Sequence, residues 1–278
     1  MTKLAGDTEF RKLVGGRCDV DLVRLMLEFA ADAYPQLDRV GYLLEIDRLG
    51  VAVDAGWVPL ARPDARERLT KVSRLLYEVE GFHGNFDAYY EPENSYLNEV
   101  LDRRVGIPIS LGILYMAVAQ RAGLRMFGVN TPGHFVVGCH SDGEMLLVDP
   151  FTSGDILNRD ECRRRIEDTV GQRGIVKNEH FRPAVPRDIA ARVLRNLKAA
   201  YAMQNRWHDA LPVQQRLTAL LPHFPQEQRD LGLIYLRTGQ PREALNLLED
   251  YVTGCGCDQA VALESSVRSA RKMVAELN

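Results

Sequence analysis

The chain has 278 residues, 46% hydrophobic and 26% charged, with a formal net charge of -3; that is room for one large or two modest domains with packed cores. The weak negative charge argues against non-specific nucleic-acid binding, which needs a concentrated basic surface, and no stretch approaches the ~20 apolar residues of a membrane helix. Met1-Thr-Lys-Leu-Ala-Gly-Asp7 reaches charge before any apolar run, and Cys18, Cys139, Cys162, Cys255 and Cys257 are odd in number and scattered, so the expectation is a reduced, cytoplasmic protein without signal peptide or disulfide framework.

Residues 7 to about 80 read as helices. Leu22, Leu25, Met26, Phe29 and Ala30 recur at helical spacing, with Pro35 limiting the run. Leu37 to Leu49 gives a second amphipathic run through Val40, Leu43, Leu44 and Ile46. Ala65 to Glu80 gives a third, with Leu69, Val72, Leu75, Leu76 and Val79 on one side. Gly56-Trp57-Val58-Pro59 breaks the pattern between them. Nothing here has catalytic spacing.

From about 81 to 185 the character changes. Gly81 to Tyr90 is rich in aromatic and turn residues, and Asn94-Ser95-Tyr96 predicts the start of a helix running to Arg103. Pro108 suits the first turn of the next helix, where its missing N–H costs nothing. That helix, Ile109 to Arg121, is apolar nearly all round and is expected to be buried, with Gly123 as its stop. Strand-like runs follow at Met126–Val129, His134–Gly138 and Met145–Val148, the last two flanking the hairpin signal Ser141-Asp142-Gly143. A buried helix followed by an antiparallel sheet predicts an α+β core. Arg163-Arg164-Arg165, among Glu161, Glu167 and Asp168, reads as a solvated helix face.

The remainder contains an internal repeat. Leu197, Tyr201 and Ala210 recur as Leu231, Tyr235 and Ala244, each pair 34 residues apart, which is the tetratricopeptide period. Gly232 and Gly239 take small-residue positions of the second repeat; Lys198 replaces the small residue in the first, and Pro222 closes it. Val261 to Leu277 is expected to cap the stack. The expected domains are 1–185 and 186–278. Cys255-Gly-Cys257 has one intervening residue and no second cluster near it, which speaks against a zinc site.

His134 and Asp149 fall on successive predicted strands. Alternation puts His134, Val136 and Gly138 on one face and Phe135, Val137 and Cys139 on the other, so Cys139 points away from the histidine. An imidazole paired with a carboxylate is a competent base, and equally a common structural hydrogen bond. Ser110 falls in the first turn of its helix, able to reach His134 or to bond back to the helix start. Asn98 and Glu99 are expected to line the same cleft, and Arg104 either to bind an anion or to be paired at the surface. A metal site from His134, Asp149 and Glu99 has no supporting ligand spacing, and no cofactor motif is present.

Four segments carry a resemblance: Asn94-Ser-Tyr-Leu-Asn-Glu-Val-Leu101, Arg104-Val-Gly-Ile-Pro-Ile-Ser-Leu111, Pro132-Gly-His-Phe135 and Val148-Asp-Pro-Phe151. In them the chain resembles the SirB-type transglutaminase-like proteins, which join such a domain to tetratricopeptide repeats. The resemblance implies a papain-like transglutaminase-type core, with His134 as the triad histidine and Asp149 as the triad aspartate. It places the nucleophilic cysteine at Pro108 or its neighbours, none of which is cysteine. The 15 residues from Pro108 to Gly123 are close to the spacing from cysteine to the following glycine that the resemblance to active transglutaminases implies, which favours loss of the thiol over a misplaced register. The leading expectation is therefore a non-catalytic protein or peptide binder acting through its cleft (Asn98, Glu99, Arg104, Pro108) and its repeats. The alternative is a hydrolase or amidase using Ser110, His134 and Asp149. Partner identity and oligomeric state are not legible.

Overall fold

The computed structural model describes residues 7–54, 64–141, 143–254 and 258–276. The residues before Asp7, the Gly56–Pro59 breaker, Asp142, and Cys255 and Cys257 lie outside the described residues. The chain divides into two compact units, 1–193 and 194–278.

The first unit opens with α1 (Thr8–Val14), α2 (Leu22–Ala33) and α3 (Arg39–Ala52). Asp21 caps α2 by accepting from the backbone N–H groups of Val23 and Arg24, and Asp38 caps α3 by accepting from Gly41 at 3.0 Å. The α1 N-terminus takes its acceptor from afar: Glu28, on α2, accepts from the backbone of Glu9 and Phe10 at 2.9 and 2.8 Å. The expectation of a core face through Val40 and Leu44 is corrected. Both are more than half exposed; of the expected run Ile46 is buried, and α3 turns Leu49 and Gly50 inward with it, where a Cβ on Gly50 would stand 2.3 Å from the Arg121 side chain.

The helix expected over 65–80 divides. α4 (Ala65–Ser73) gives way to a π-helical turn over Arg74–Val79. The wider turn slips the helical phase, so Leu69, Val72, Leu75 and Leu76 are buried while Val79, expected beside them, is exposed. A 3-10 turn at Pro92–Ser95 leads into α5 (Leu97–Arg103), and α6 runs over Pro108–Arg121 with Pro108 at its first position. β1 (His83–Gly84), ahead of the 3-10 turn, and β2 (Val105–Gly106), between α5 and α6, pair in parallel.

The sheet is an antiparallel meander of β3 (Met126–Thr131), β4 (His134–Ser141), β5 (Glu144–Asp149) and β6 (Asp155–Leu157), in that order. β6 is an element the sequence reading lacked. Pro132 and Gly133 alone join β3 to β4, and Gly133 sits at φ +67, a conformation that glycine adopts without strain. α6 lies on one face of the sheet, close enough that a Cβ on Gly112 would stand 2.7 Å from the Phe135 ring. α7 (Arg159–Val170) covers the other, its Cys162 and Ile166 packing with Val129, Val136 and Leu147. Beyond α7, Val129 bridges to Pro183 and the Ala184 N–H donates to the Gly128 carbonyl at 2.8 Å.

α8 (Pro186–Met203) spans the division at 193. The second unit continues with α9 (Trp207–Leu220), α10 (Pro225–Arg237), α11 (Pro241–Gly254) and α12 (Asp258–Glu276). Leu197, Tyr201, Ala210, Leu231 and Ala244 of the 34-residue repeat are buried. A Cβ on Gly232 would lie 2.9 Å from Leu248, which explains the small residue there. Its counterpart Lys198 points its ammonium at Glu227 (3.0 Å) and Asp230 (2.8 Å). Glu227, 4% exposed, also accepts from Arg195 and Gln214. No described helix is long and apolar enough to cross a membrane.

Candidate functional site: the His134–Asp149 pair

The register that pairs Val137 with Val148 makes His134 and Asp149 diagonal neighbours on one face of adjacent strands. His134 Nε2 lies 2.9 Å from Asp149 Oδ1. A carboxylate only accepts, so Nε2 carries the hydrogen. Both residues are buried, at 4% and 1% exposure. Asp149 Oδ1 also accepts from the Phe151 N–H at 3.1 Å, and Arg165 of α7 approaches Oδ2 at 3.9 Å. Burial, the largest single influence, would push the Asp149 carboxyl up; the hydrogen bond and charge of His134, with the Phe151 N–H and the Thr152 hydroxyl, outweigh it and hold the group below the usual range.

Ser110 is engaged elsewhere. Its hydroxyl donates to the Asn94 carbonyl at 2.6 Å, lies 3.1 Å from the Ile107 carbonyl, and accepts the Ile107 N–H at 3.0 Å. That last bond closes the start of α6. Among the described residues no hydrogen bond joins Ser110 to His134. The pleat explains why: α6 packs against the face carrying Phe135 and Val137, whereas Asp149 and its histidine share the face covered by α7. Pro108 is buried at the first position of α6 and offers no reactive atom.

The remaining predicted cleft residues lie together, apart from this pair. Asn98, Glu99 and Arg104 line a cavity of about 820 Å³ that neither His134, Asp149, Ser110 nor Pro108 borders. Arg104 is paired, its guanidinium reaching Glu45 at 3.1 Å and Glu80 at 3.2 Å and lying over the Phe82 ring. Cys139, buried on the face opposite His134, has its thiol pushed up by burial. Cys162, on the Asp149 side, is pushed up to about 12, first by burial and then by the Asp149 charge. Neither is a ready thiolate. No group of three or more metal-ligating side chains converges among the described residues.

Sequence reasoning missed an aromatic cluster beside the pair. Phe151 stands edge-on to His134 at 6.2 Å, Phe86 packs on Phe151 at 4.3 Å, and Tyr89 and Tyr90 continue the group. The signal was present in the aromatic run of 82–90 and in Phe151 two residues after Asp149; only the fold brings them together.

Residues 41–195 match the family model described as the transglutaminase-like superfamily. The chain belongs to that superfamily. Residues 197–275 match a tetratricopeptide repeat model. Among relatives of this transglutaminase-like protein, a UPF0162 protein of Xylella fastidiosa is 37% identical over 242 residues, covering 83% of each chain. The UPF0162 protein YchA of Escherichia coli is 29% identical, covering 81% of this chain and 79% of that one. Protein SirB1 of Salmonella typhimurium is 28% identical over 68% of this chain and 70% of its own. Among solved structures, a crystal structure of menin aligns with a TM-score of 0.41 at 13% identity, covering 88% of this chain and 69% of that one; so distant a match carries no argument.

For this transglutaminase-like core the Ser110 bonds make a direct prediction. Ser110→Ala leaves the buried Ile107 N–H and Asn94 carbonyl without a partner, so it should cost about 1–2 kcal/mol in chemical unfolding. An unchanged or raised unfolding midpoint would contradict the structural role.

Proposed function

We propose that this chain is a transglutaminase-like pseudoenzyme that binds protein or peptide segments and acts as a regulatory protein in the cytoplasm. The first turn of α6 carries the reading. Pro108 occupies the place where the superfamily resemblance puts the nucleophile, and the one hydroxyl in that turn is committed to Asn94 and Ile107. A helix N-terminus activates a thiol, and a proline ring presents nothing to activate. The His134–Asp149 pair then holds the chain after β5 in place rather than moving protons.

Two surfaces support a binding role. Beside the pair, Phe86 and Tyr90 are 67% and 54% exposed, and aromatic side chains anchor partner segments at interfaces. Tetratricopeptide repeats in general mediate protein–protein interaction, because stacked helix pairs form a concave groove. The free thiols Cys18, Cys139 and Cys162 accord with a reducing compartment. The retained pair motivates a second reading, a hydrolase or amidase using Ser110 with His134 and Asp149, which requires Ser110 to leave its present bonds.

The test uses the full chain, an array of peptides and a serine-acylating fluorophosphonate. Expected are array binding that survives His134→Ala and no acyl label. Labelling that disappears in Ser110→Ala would overturn the proposal in favour of the hydrolase, and an array that retains no peptide would sink it too.

A further inference from the structure

α3 carries two apolar faces. Ile46, Leu49 and Gly50 turn one of them into the first unit. Val40, Leu44 and Val51 form the other, and they are 65%, 62% and 78% exposed. At about 100° per residue these three fall within an arc of about 40°, on the far side of the helix from the buried stripe. Exposed apolar side chains scattered singly are ordinary. Here three share one line, four and then seven residues apart, which is the spacing of a seam between two helices. A surface helix ordinarily sets one apolar stripe against a polar opposite face. The second stripe of α3 therefore asks for a second neighbour, and none of the described residues covers it.

Charge decides what that neighbour is. Asp47 and Arg48 are consecutive and so stand about 100° apart, one on each flank of the stripe. Arg48 pairs with Glu45 at 2.7 Å and Glu80 at 2.8 Å, and Asp47 pairs with Arg121. Even so, the Asp47 and Arg48 side chains stay 56% and 50% exposed. With Arg104, which engages Glu45 and Glu80, three guanidiniums meet three carboxylates around this face. It therefore presents no net charge to draw a basic or an acidic partner. What the two flanks match is each other. In a two-fold pair of α3 helices running parallel, Arg48 of each copy lies beside the partner's Asp47, at nearly the same height, twice over. Run antiparallel, like flanks would meet, and like charges brought together are costly.

We infer that the α3 face is a self-association surface. A second copy of this chain docks on it through a parallel two-fold contact, in which Val40, Leu44 and Val51 pack on their own counterparts and Arg48 pairs with the partner's Asp47. From Val40 to Val51 the face is about 17 Å long and one helix wide. That is well short of the ~800 Å² per partner that a stable interface buries, so the dimer is weak, with a Kd on the order of 100 µM. The surface stands independently of the pseudoenzyme reading and of what the repeats bind.

Sedimentation equilibrium of the full chain from about 1 µM to about 1 mM tests it. Expected is a monomer–dimer equilibrium that Leu44→Glu weakens by about tenfold or more. Asp47→Arg and Arg48→Asp should each weaken self-association by setting like charges face to face. An equimolar mixture of those two variants should recover it, because each flank then meets its opposite. Val51→Cys fixes the direction of the helices. A parallel pair brings the two positions together, whereas an antiparallel pair holds them about 17 Å apart, too far for a disulfide. Mild oxidation should therefore link Val51→Cys into dimers, while the wild type, with Cys18 exposed, stays unlinked. All four positions are half or more exposed, so the substitutions leave the fold intact. A chain that stays monomeric to about 1 mM leaves the face to a foreign partner and overturns the assignment. So does a dimer indifferent to Leu44→Glu, a mixture that associates no better than its components, or a Val51→Cys variant that links no more than the wild type.

Discussion

Phe135→Ala is expected to destabilise the first unit by about 3–5 kcal/mol, a large share of the ~5–15 kcal/mol that holds a typical domain folded. Phe135 is fully buried between α6 and the sheet. Its ring is bracketed by glycines: a Cβ on Gly112 would lie 2.7 Å from one edge and a Cβ on Gly128 2.5 Å from its tip. Neither neighbour has a side chain that can swing into the space the ring leaves, so the cavity stays open and its cost adds to the lost transfer energy. Urea unfolding followed by far-UV circular dichroism checks this. Because the chain has two compact units, its unfolding need not be a single step. Leu248→Ala, in the second unit, identifies the transition that Phe135→Ala should leave alone. A loss below about 1 kcal/mol would mean the glycine-walled pocket collapses, contrary to the packing described.

The second large effect belongs to Asp149. Its replacement by alanine is expected to cost about 3 kcal/mol near neutral pH, because the buried His134 Nε2 and the Phe151 N–H lose a charged acceptor together. The pH dependence has a definite sign. The folded carboxyl sits below its ordinary value near 4, so its contribution is fully present above the unfolded value and is lost as pH falls through the lower folded one. The stability gap between wild type and Asp149→Ala should therefore narrow as pH is lowered from about 5 towards 2. A gap that stays constant or widens over that window would contradict a charge-assisted pair.

Much of this fold was legible because local signals agreed with one another. Pro108 and Gly123 bracket α6 as a helix start and stop, and its all-round apolarity matches a helix buried between the sheet and the N-terminal helices. The 34-residue spacing of Leu197 and Leu231, and of Ala210 and Ala244, fell on buried positions. The link between His134 and Asp149 was readable because antiparallel strands bring diagonal residues together. Other features depend on contacts no local pattern carries. Val79 sits at helical spacing but lies past a π turn. Val40 and Leu44 have the right period for a core face, yet α3 turns Ile46, Leu49 and Gly50 inward. β6, three residues long, falls below the length at which alternation is recognisable. Asn98 reads as a polar position on a short helix, and only the fold buries its amide and leaves the oxygen unpaired. Ser110 was ambiguous between His134 and its own helix start; the carbonyl of Asn94, 16 residues earlier, takes the hydroxyl.

The bridge from Val129 to Pro183 bears on how these molecules behave when crowded. A four-stranded meander ends in two bare edges, and an unpaired edge is a template on which a strand from another molecule can grow. Here the residues after α7 lie along β3, with Ala184 filling the Gly128 carbonyl and a proline, which has no N–H to offer, set against Val129. At the opposite margin β6 presents only Asp155–Leu157, too short a ladder to recruit a neighbour firmly. The chain thus hems its own sheet, and strand-to-strand aggregation finds no long selvage to start from among the described residues.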